Sequence, residues 1–167
     1  VRTMPEVKPT AMTGVPRLYE KIHATMFDRV ERGGAARRRL FEWALRIGRT
    51  YHRRRFEGAP IFPWLGMRHA VADLLVLRKI RAIVGGPKNF FAAGGAALAQ
   101  EIEETFFAAG LLVCQGYGLT ETSPMITCNS RSGLRFGTVG RPVKGCRVRI
   151  GDEGEIQVQG PNVMKGY

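Results

Sequence analysis

The sequence predicts an α/β protein in which a parallel sheet with flanking helices precedes the strands of a small distorted barrel. Short apolar runs at residues 89–93 and 111–114, with helix-like spacing of apolar residues between them, predict two parallel strands joined by a helix. Alternation of apolar and polar residues near the end of the chain predicts an antiparallel hairpin. We therefore expect an α/β unit over residues 1–133 and the start of a β-barrel subdomain over residues 134–167.

The N-terminal part is expected to form a strand at residues 8–13 and then a helix. Gly14 ends the strand, and Pro16 suits the first turn of the helix because a proline there sacrifices no backbone hydrogen bond. Gly33 and Gly34 end the helix, since glycine has poor helix propensity. The inward face is predicted from the spacing to carry Leu18, Ile22 and Met26.

Two further helices, at about residues 35–56 and 67–84, are predicted to form an arginine-rich insert between the first two strands. A stretch rich in glycine and proline separates them. The first of these helices presents an apolar face formed by Leu40, Ala44, Ile47 and Tyr51. The second is expected to direct inward Val71, Leu74 and Leu75.

The positive charge of the chain is unevenly distributed. Residues 1–90 hold 19 Lys and Arg against 7 Asp and Glu, and they carry the whole net charge of +12. Arginine triplets at residues 37–39 and 53–55 contribute six of the positive charges. Such a field could attract nucleic acid, anionic lipid or a polyanionic cofactor. The solvated face of an amphipathic helix explains the same arginines, so both interpretations stay open.

The second half of the chain is predicted to begin with a strand–turn–helix–strand unit. A buried strand at residues 89–93 ends in a glycine-rich turn at residues 94–97, and a second strand covers residues 111–114. Gly110 is suited to end the helix between them. The inner face of this helix is expected to carry Leu98, Ile102 and Phe106.

A binding site is predicted where these two strands end. Glycine-rich turns at residues 94–97 and 116–118 each follow a buried strand, and ligands of parallel sheets bind beyond the carboxyl ends of the strands. We therefore expect the two turns to lie side by side at one edge of the sheet and to form one pocket.

The stretch QGYGLTETSP, which follows the second strand, offers groups suited to a phosphorylated ligand. Gly116 and Gly118 let a ligand approach the backbone, and Tyr117 between them can present a flat face to a base. Thr120 can donate a hydrogen bond to a phosphate oxygen, and Glu121 is a hard oxygen ligand suited to Mg²⁺. The stretch matches neither G-x-G-x-x-G nor G-x-x-x-x-G-K-[ST].

An ordinary turn is the alternative interpretation of the same stretch. In that interpretation Ser123 caps a helix and Pro124 is its first helical residue. Turns rich in hydroxyl groups are common, so the residues alone leave both interpretations open.

The sequence gives no indication of a zinc site, a disulfide framework or a membrane span. The cysteines and histidines show neither C-x-x-C nor Cys/His ligand spacing and are interpreted as structural or surface residues. These residues are Cys114, Cys128, Cys146, His23, His52 and His69. No window approaches the roughly 18 uninterrupted apolar residues of a membrane helix. Residues 1–10 lack the apolar core of a signal peptide, so a cytoplasmic location is expected.

The stretch QGYGLTETSP resembles the signature of the AMP-forming acyl-CoA synthetases of the adenylate-forming superfamily. TGVPRLYEK at residues 13–21 resembles the V-P-R-x-x-E-K stretch of the long-chain fatty acid members. FAAGGAAL at residues 91–98 resembles their F-x-S-G-G-A-P-L turn, with alanine in place of the usual Ser and Pro. Residues 137–142 and 154–167 also match in order, so the resemblance spans essentially the whole chain.

This resemblance implies an ATP-dependent fatty acid:CoA ligase and part of the N-terminal domain of that family. In the family the carboxylate attacks the α-phosphate of MgATP, giving acyl-AMP and pyrophosphate, and the thiol of coenzyme A then takes the acyl group. The implied catalytic residues are Thr120, at the α-phosphate, and Glu121, which holds Mg²⁺. Tyr117 would stack on adenine. The implied nucleotide contacts are Gly94, Gly95, Ala96, Gly116, Tyr117, Gly118 and Thr120, while Gly116 and Gly140 border the acyl channel.

The resemblance further implies that the chain is an internal fragment. The family's Ser/Thr/Gly-rich phosphate loop, its ribose-binding Asp and its domain with the catalytic Lys are not in the sequence, and Lys165 is not that lysine. We therefore expect the isolated chain to be inactive.

Two other functions are weighed beside the fatty acid ligase. Within the superfamily the alternative is an amino-acid adenylation domain or an aryl-CoA ligase. A basic nucleic-acid-binding module is the least favoured function, and no nucleic-acid partner is expected. Since family members handle lipids, the arginine-rich helices are expected to serve, if they bind a partner at all, as a peripheral membrane surface.

Overall fold

The structure, a computed structural model, describes residues 4–86 and 90–167 of the chain. Within these residues the strands form a five-stranded and a two-stranded sheet. The larger sheet holds β1 Ala11–Gly14, β2 Phe90–Ala93, β3 Val113–Gly118, β4 Met125–Cys128 and β5 Arg141–Pro142. The smaller sheet holds β6 Arg147–Ile150 and β7 Ile156–Gln159.

The helices of the described residues lie mainly in the first half of the chain. They are α1 Met4–Val7, α2 Pro16–Glu31, α3 Gly34–Phe56, α4 Pro63–Ala72, α5 Arg78–Ile83 and α6 Gln100–Ala108. A π-helical turn at Asp73–Leu77 joins α4 to α5, and a 3-10 turn covers Thr120–Thr122. Helices α2 to α5 lie between β1 and β2, in the region where helices were predicted.

The larger sheet is mixed, with the strand order β1-β2-β3-β4-β5. The first three strands are parallel, and β4 and β5 each run antiparallel to the strand before them. The predicted parallel α/β unit is therefore confirmed, and two antiparallel strands that the sequence analysis did not identify extend its sheet. Although β5 lies beyond residue 134, it pairs with β4, and the division of the chain at 133/134 stays a prediction.

The core lies between α2, β2 and α6. The rings of Tyr19, Phe91 and Phe106 meet edge to face, with centroids 5.7 to 6.2 Å apart, and all three side chains are fully buried. The Tyr19 hydroxyl donates a hydrogen bond to the Ala92 carbonyl at 2.8 Å, and burial raises the pKa of Tyr19 to about 12. Ile22 lies on the same buried face of α2, as predicted.

The prediction of which face of the third helix points inward is wrong. Val71, Leu74 and Leu75 are 46%, 53% and 40% exposed. The π turn accommodates more residues in one turn than an α-helix does, so the inward positions shift across it. The buried positions of this helical stretch are instead Leu65, Ala72, Leu77 and Ile80.

Helix α3 packs against α6 through a face that only partly matches the one expected. Ala44 and Ile47 are buried as predicted and Tyr51 is half-buried, but Leu40 is exposed, and the other buried positions are Phe41, Leu45 and Gly48. A Cβ on Gly48 would overlap the carbonyl oxygen of Ala108 in α6. Glycine at this position therefore permits the close approach of the two helices, which a periodicity of large apolar residues does not reveal.

Two predicted boundaries also move. The first strand begins at Ala11 rather than residue 8, and Leu98 precedes α6, which begins at Gln100. Leu98 is still buried beside Ile102 and Phe106, and Gly110 ends the helix with a positive φ of 79°, as expected. Asn89, predicted as the first residue of β2, lies outside the described residues.

The C-terminal hairpin is confirmed. Strands β6 and β7 pair antiparallel, with Arg147 opposite Gln159 and Ile150 opposite Ile156. Gly154 in the connecting turn has a φ of 79°, a conformation that residues with a side chain rarely adopt.

Acidification is expected to destabilise the fold through His52. The pKa of His52 is lowered to about 4, chiefly by burial and then by the neighbouring His69, Arg81 and Arg55, against the attraction of Asp73. Because the unfolded chain binds this proton at higher pH, the stability contributed by neutral His52 is present above about pH 6.5 and is lost as the pH falls toward 4. Urea unfolding at pH 7 and pH 5 checks this, and His52→Gln should weaken the pH dependence. An unchanged dependence in the variant would contradict the assignment.

Candidate nucleotide site

The two predicted glycine turns lie beside each other. Strands β2 and β3 are parallel neighbours, so the glycine-rich stretches at their carboxyl ends share one edge of the sheet. A Cβ on Gly94 would lie 3.7 Å from the carbonyl oxygen of Gly116, which is an ordinary van der Waals distance. The predicted proximity is confirmed. The residues around this contact, including Gly95, Ala96 and Gly118, are exposed, so in the described part of the chain this edge of the sheet is open to solvent and does not form a closed pocket.

Gln115 ties the first turn to β3. Its side chain is only 4% exposed, its Oε1 accepts a hydrogen bond from Leu98 N at 2.9 Å, and its Nε2 donates to Leu98 O at 3.1 Å. Both polar ends of the amide are thereby paired, and the end of the 94–97 turn is fixed on the strand. The sequence analysis missed this residue. Its signal is a lone amide at the end of the buried run of residues 111–114.

Residues 116–118 are the end of β3 and not a turn, which corrects the prediction. The strand continues because Gly116 and Tyr117 pair with β4. A Cβ on Gly118 would overlap the carbonyl of Pro124, so the glycine lets the chain double back at close range. A shift of register between Tyr117 and Gly118 accompanies this reversal.

The connection from β3 to β4 is a 3-10 turn, Thr120–Thr122, held by one buried hydroxyl. The Thr122 Oγ1 accepts from Leu119 N at 3.0 Å and lies 2.9 Å from Leu119 O. Ser123 follows with a left-handed φ of 52°, and strand β4 begins after Pro124. The alternative interpretation, with Ser123 capping a helix that starts at Pro124, is therefore wrong.

Glu121 projects from this turn toward the end of the chain. Its Oε1 accepts a hydrogen bond from the Tyr167 hydroxyl at 2.8 Å, and its carbonyl accepts from Met164 N at 2.8 Å. Its own backbone N–H and then the Tyr167 hydroxyl hold the pKa of Glu121 below its usual range, so the carboxylate is ionised at neutral pH. The segment after β7 thus borders the site.

Asn162 attaches that C-terminal segment to the turn. Its Nδ2 donates to Thr122 O at 2.9 Å and to Met125 O at 2.8 Å, and its Oδ1 accepts from the Cys146 thiol at 2.9 Å. A single amide therefore connects the residues after β7 with the end of the Glu121 turn and the start of β4. The sequence analysis did not identify Asn162, since its partners are about 40 residues away.

Asn129 and Glu103 organise the loop that carries Gly140. The buried Asn129 amide donates to Arg135 O at 3.2 Å and to Thr138 O at 2.5 Å. The buried Glu103 carboxylate of α6 accepts from Gly137 N at 2.7 Å, while burial raises the pKa of Glu103. The loop is therefore fixed by two side chains from other elements.

Gly140 itself has a φ of 79°, and a Cβ there would overlap the backbone of Cys128 and Asn129. The position thus requires glycine for two physical reasons, the backbone conformation and the close approach of β4.

A family model described as AMP-binding enzyme matches residues 1–167. The chain belongs to this family. Its relatives include the long-chain-fatty-acid–CoA ligase FadD15 of Mycobacterium bovis, 38% identical over 96% of this chain. The chain spans 26% of the length of this ligase.

Two solved structures have the same fold. A malonyl-CoA ligase with methylmalonyl-CoA and AMP bound is 26% identical, with a TM-score of 0.52 over 95% of this chain and 26% of its own. A benzoate CoA ligase from Burkholderia xenovorans is 22% identical, with a TM-score of 0.57 over 99% of this chain and 26% of its own. The mixed sheet with flanking helices is thus a fold found in acyl-CoA ligases.

The donor set at this edge of the AMP-binding fold fits a magnesium ion that is shared with a phosphate. Among residues 4–86 and 90–167, no three His, Cys, Asp or Glu side chains converge on one point. Glu121 supplies a single ionised and accessible carboxylate. Mg²⁺ commonly takes one or two carboxylates and completes its shell with phosphates and water, so one carboxylate suffices in a nucleotide site.

Proposed function

We propose that this chain is part of an ATP-dependent fatty acid:CoA ligase, which joins a carboxylate to AMP and then transfers the acyl group to coenzyme A. The observation that carries the proposal is the position of Thr120 and Glu121. Both follow shortly after β3, the strand that pairs with β2, and β2 ends in the exposed glycine turn. A hydroxyl, a carboxylate and accessible backbone at one sheet edge are suited to a nucleotide phosphate.

The adenine ring is proposed to lie along the glycine turns. Gly95 and Ala96 are exposed and can offer their backbone to the base, while Gly94 borders the neighbouring strand. Tyr117, half-buried at the end of β3, would stack on the ring, and the exposed Gly118 would offer its backbone. A base held between a flexible backbone and a fixed aromatic side chain would place its phosphates toward the following 3-10 turn.

Thr120 and Glu121 are proposed to act on the reacting phosphate. Thr120 is exposed, so its hydroxyl can donate to an oxygen of the α-phosphate. Glu121 would hold Mg²⁺ together with phosphate oxygens. Bound there, Mg²⁺ would neutralise charge on the phosphate during transfer. Tyr167, through its hydrogen bond, would orient the Glu121 carboxylate.

The carboxylate substrate is proposed to be a long-chain fatty acid, with coenzyme A as the acceptor. The relative named for this activity shares more identity with the chain than the malonyl-CoA and benzoate CoA ligases do. We propose that Gly116 and Gly140 border the acyl channel, since both lie against the end of β4, where Gly116 pairs with Cys128 and Gly140 approaches the backbone of Cys128. An aryl-CoA ligase is the less favoured alternative.

We predict that the isolated chain releases no pyrophosphate from ATP with a fatty acid and coenzyme A, whereas a longer enzyme that contains it does. The chain spans about a quarter of FadD15, and correct positioning of reacting groups contributes ~7–11 kcal/mol to catalysis. A site that lacks groups for the ribose and the β- and γ-phosphates loses most of this contribution from positioning. Pyrophosphate release by the two proteins is the measurement. Robust release from the isolated chain would contradict the prediction, and none from the longer enzyme would refute the proposed activity.

A cytoplasmic protein with peripheral membrane contact is the location we propose. Among the described helices, none has both the length and the apolar composition needed to cross a bilayer. Support for surface contact comes from α4 and the residue before it. Arg54 lies over the exposed ring of Phe62 at 5.0 Å, and Arg68 lies over that of Trp64 at 5.8 Å. Exposed aromatic rings next to arginines suit the interface of an anionic membrane.

Vesicle co-sedimentation tests this surface. At low salt the chain should sediment more with vesicles that contain phosphatidylserine than with phosphatidylcholine alone, and about 0.5 M salt should remove the difference. Trp64→Ala and Arg68→Glu should reduce sedimentation, while Arg149→Glu in the hairpin serves as the charge-matched control. Equal sedimentation with both lipids at low salt would count against membrane contact.

A further inference from the structure

A second candidate site lies far from the glycine turns. A cleft of about 700 Å³ is enclosed by the C-terminal half of α2, the start of α3 and the stretch from the π turn into α5. Its walls are mainly apolar and include Met26, Val30, Phe41, Ile80 and Ile83. Pockets for small organic ligands typically have volumes of about 300–1,000 Å³ with mostly apolar walls, so the cleft has the size of a ligand site.

The mouth of the cleft is positively charged. The cations that line it are exposed and come from three parts of the chain: Arg29, Arg32, Arg37 and Lys79. No acidic residue is among the lining residues. In the part of the chain that the structure describes, the ion pairs join other side chains, so these four cations are available to an anion.

The cleft lies toward the opposite edge of the sheet from the glycine turns. Helix α2 starts directly after the carboxyl end of β1 and is about 24 Å long, so Met26 and Val30 lie away from that edge. Helix α5 ends shortly before β2 begins, which places Ile83 near the amino ends of the strands. None of the glycine-turn residues lines the cleft.

We propose that this cleft binds a single long-chain carboxylate, with the alkyl chain along the apolar walls and the head group at the arginines of the mouth. Guanidinium groups bind carboxylates through paired, charge-assisted hydrogen bonds, which explains the cationic rim. A concave cleft suits one inserted chain, whereas a bilayer surface requires a protruding apolar ridge. The proposal does not depend on ligase activity, because the cleft and the glycine turns share no residue.

Fluorescence of 11-(dansylamino)undecanoic acid with the 167-residue chain tests the proposal. The emission should rise on binding, oleate should displace the probe, and oleyl alcohol of equal chain length should displace it at least ~10-fold less effectively, since it lacks the charge that the rim recognises. AMP, which the proposed ligase site would bind, should not displace it. Equal displacement by the alcohol would show only non-specific apolar binding and would overturn the proposal.

Matched variants locate the binding. Arg37→Glu should weaken probe binding by about 10-fold or more, whereas Arg39→Glu, the same charge change two residues away and outside the lining, should change it less than about 2-fold. Ala36→Trp should fill the cleft and abolish binding, with Ala35→Trp as its control. All four positions are exposed, so thermal unfolding should remain near that of the unmodified chain.

Two results would overturn the site. Binding that is unaffected by both Arg37→Glu and Ala36→Trp would place the probe elsewhere. A longer enzyme that contains the chain but does not bind the probe would show that polypeptide occupies the cleft. A component of probe binding in the longer enzyme that Ala36→Trp removes and AMP does not affect would confirm the proposal, whatever the outcome of the pyrophosphate measurement.

Discussion

Replacing Glu121 with alanine in a longer enzyme that contains this chain is expected to lower pyrophosphate release by about 100-fold. The carboxylate is ionised, accessible and held by the Tyr167 hydroxyl. Its loss should remove a ligand that acts on the charged phosphate without leaving a hole in the core. The free energy of unfolding should change by less than about 0.5 kcal/mol, as is usual for a surface substitution.

Matched substitutions separate ligand chemistry from bulk. Glu121→Gln keeps the shape but removes the charge, so it should be almost as inactive as Glu121→Ala. Tyr167→Phe removes only the hydrogen bond that orients the carboxylate, and an effect of about 10-fold is expected. Glu153→Ala, which removes an exposed carboxylate in the hairpin turn, should be silent. Full activity of Glu121→Ala would show that Glu121 is not a ligand in the reaction.

The sequence predicted the parallel unit and the proximity of its two glycine-rich stretches because these features have strong local signals. A buried parallel strand is a short apolar run, and its neighbour can be placed once a helix of suitable length separates them. The carboxyl ends of such strands then share an edge. The positions of Gly94 and Gly116 follow from this rule alone.

Local periodicity failed where the helix itself changes. The π turn between α4 and α5 alters the register of the inward face, so Leu74 and Leu75 are exposed although their spacing suits a core position. Nothing in the local sequence marks the turn. The strand β4 was missed for a related reason, since only four residues follow Pro124 before pairing ends and the pairing partner is the glycine-rich end of β3.

The remaining part of the candidate site depends on side chains that act over long separations in the sequence. Gln115 holds Leu98, Asn129 holds Thr138, and Asn162 holds Thr122. Each is a buried or half-buried amide whose NH₂ group donates to backbone carbonyls. A single sequence contains no pattern for such contacts, because a lone amide near an apolar run has no characteristic spacing.

Replacing Gly140 with alanine is expected to lower the free energy of unfolding by about 2–5 kcal/mol. A left-handed backbone costs a residue with a side chain about 1–2 kcal/mol, and overpacking adds about 1–3 kcal/mol. Both terms apply, since φ is 79° and the added methyl group would overlap the backbone of Cys128 and Asn129. That backbone cannot move away easily, because Asn129 is buried. Its side-chain amide also donates a hydrogen bond to Arg135 O and accepts one from Arg135 N.

Gly154→Ala is the matched control, because Gly154 has the same φ of 79° but nothing within 4 Å of an added methyl group. It should therefore cost only the conformational term of about 1–2 kcal/mol. Urea unfolding of both variants at pH 7 measures the difference, which is the part due to packing against β4. Equal losses would show that the loop moves aside. A larger loss for Gly140→Ala, measured without substrate, would mean that packing against β4 requires glycine at this position. The requirement for glycine beside the proposed acyl channel would then come from the fold and not from the substrate.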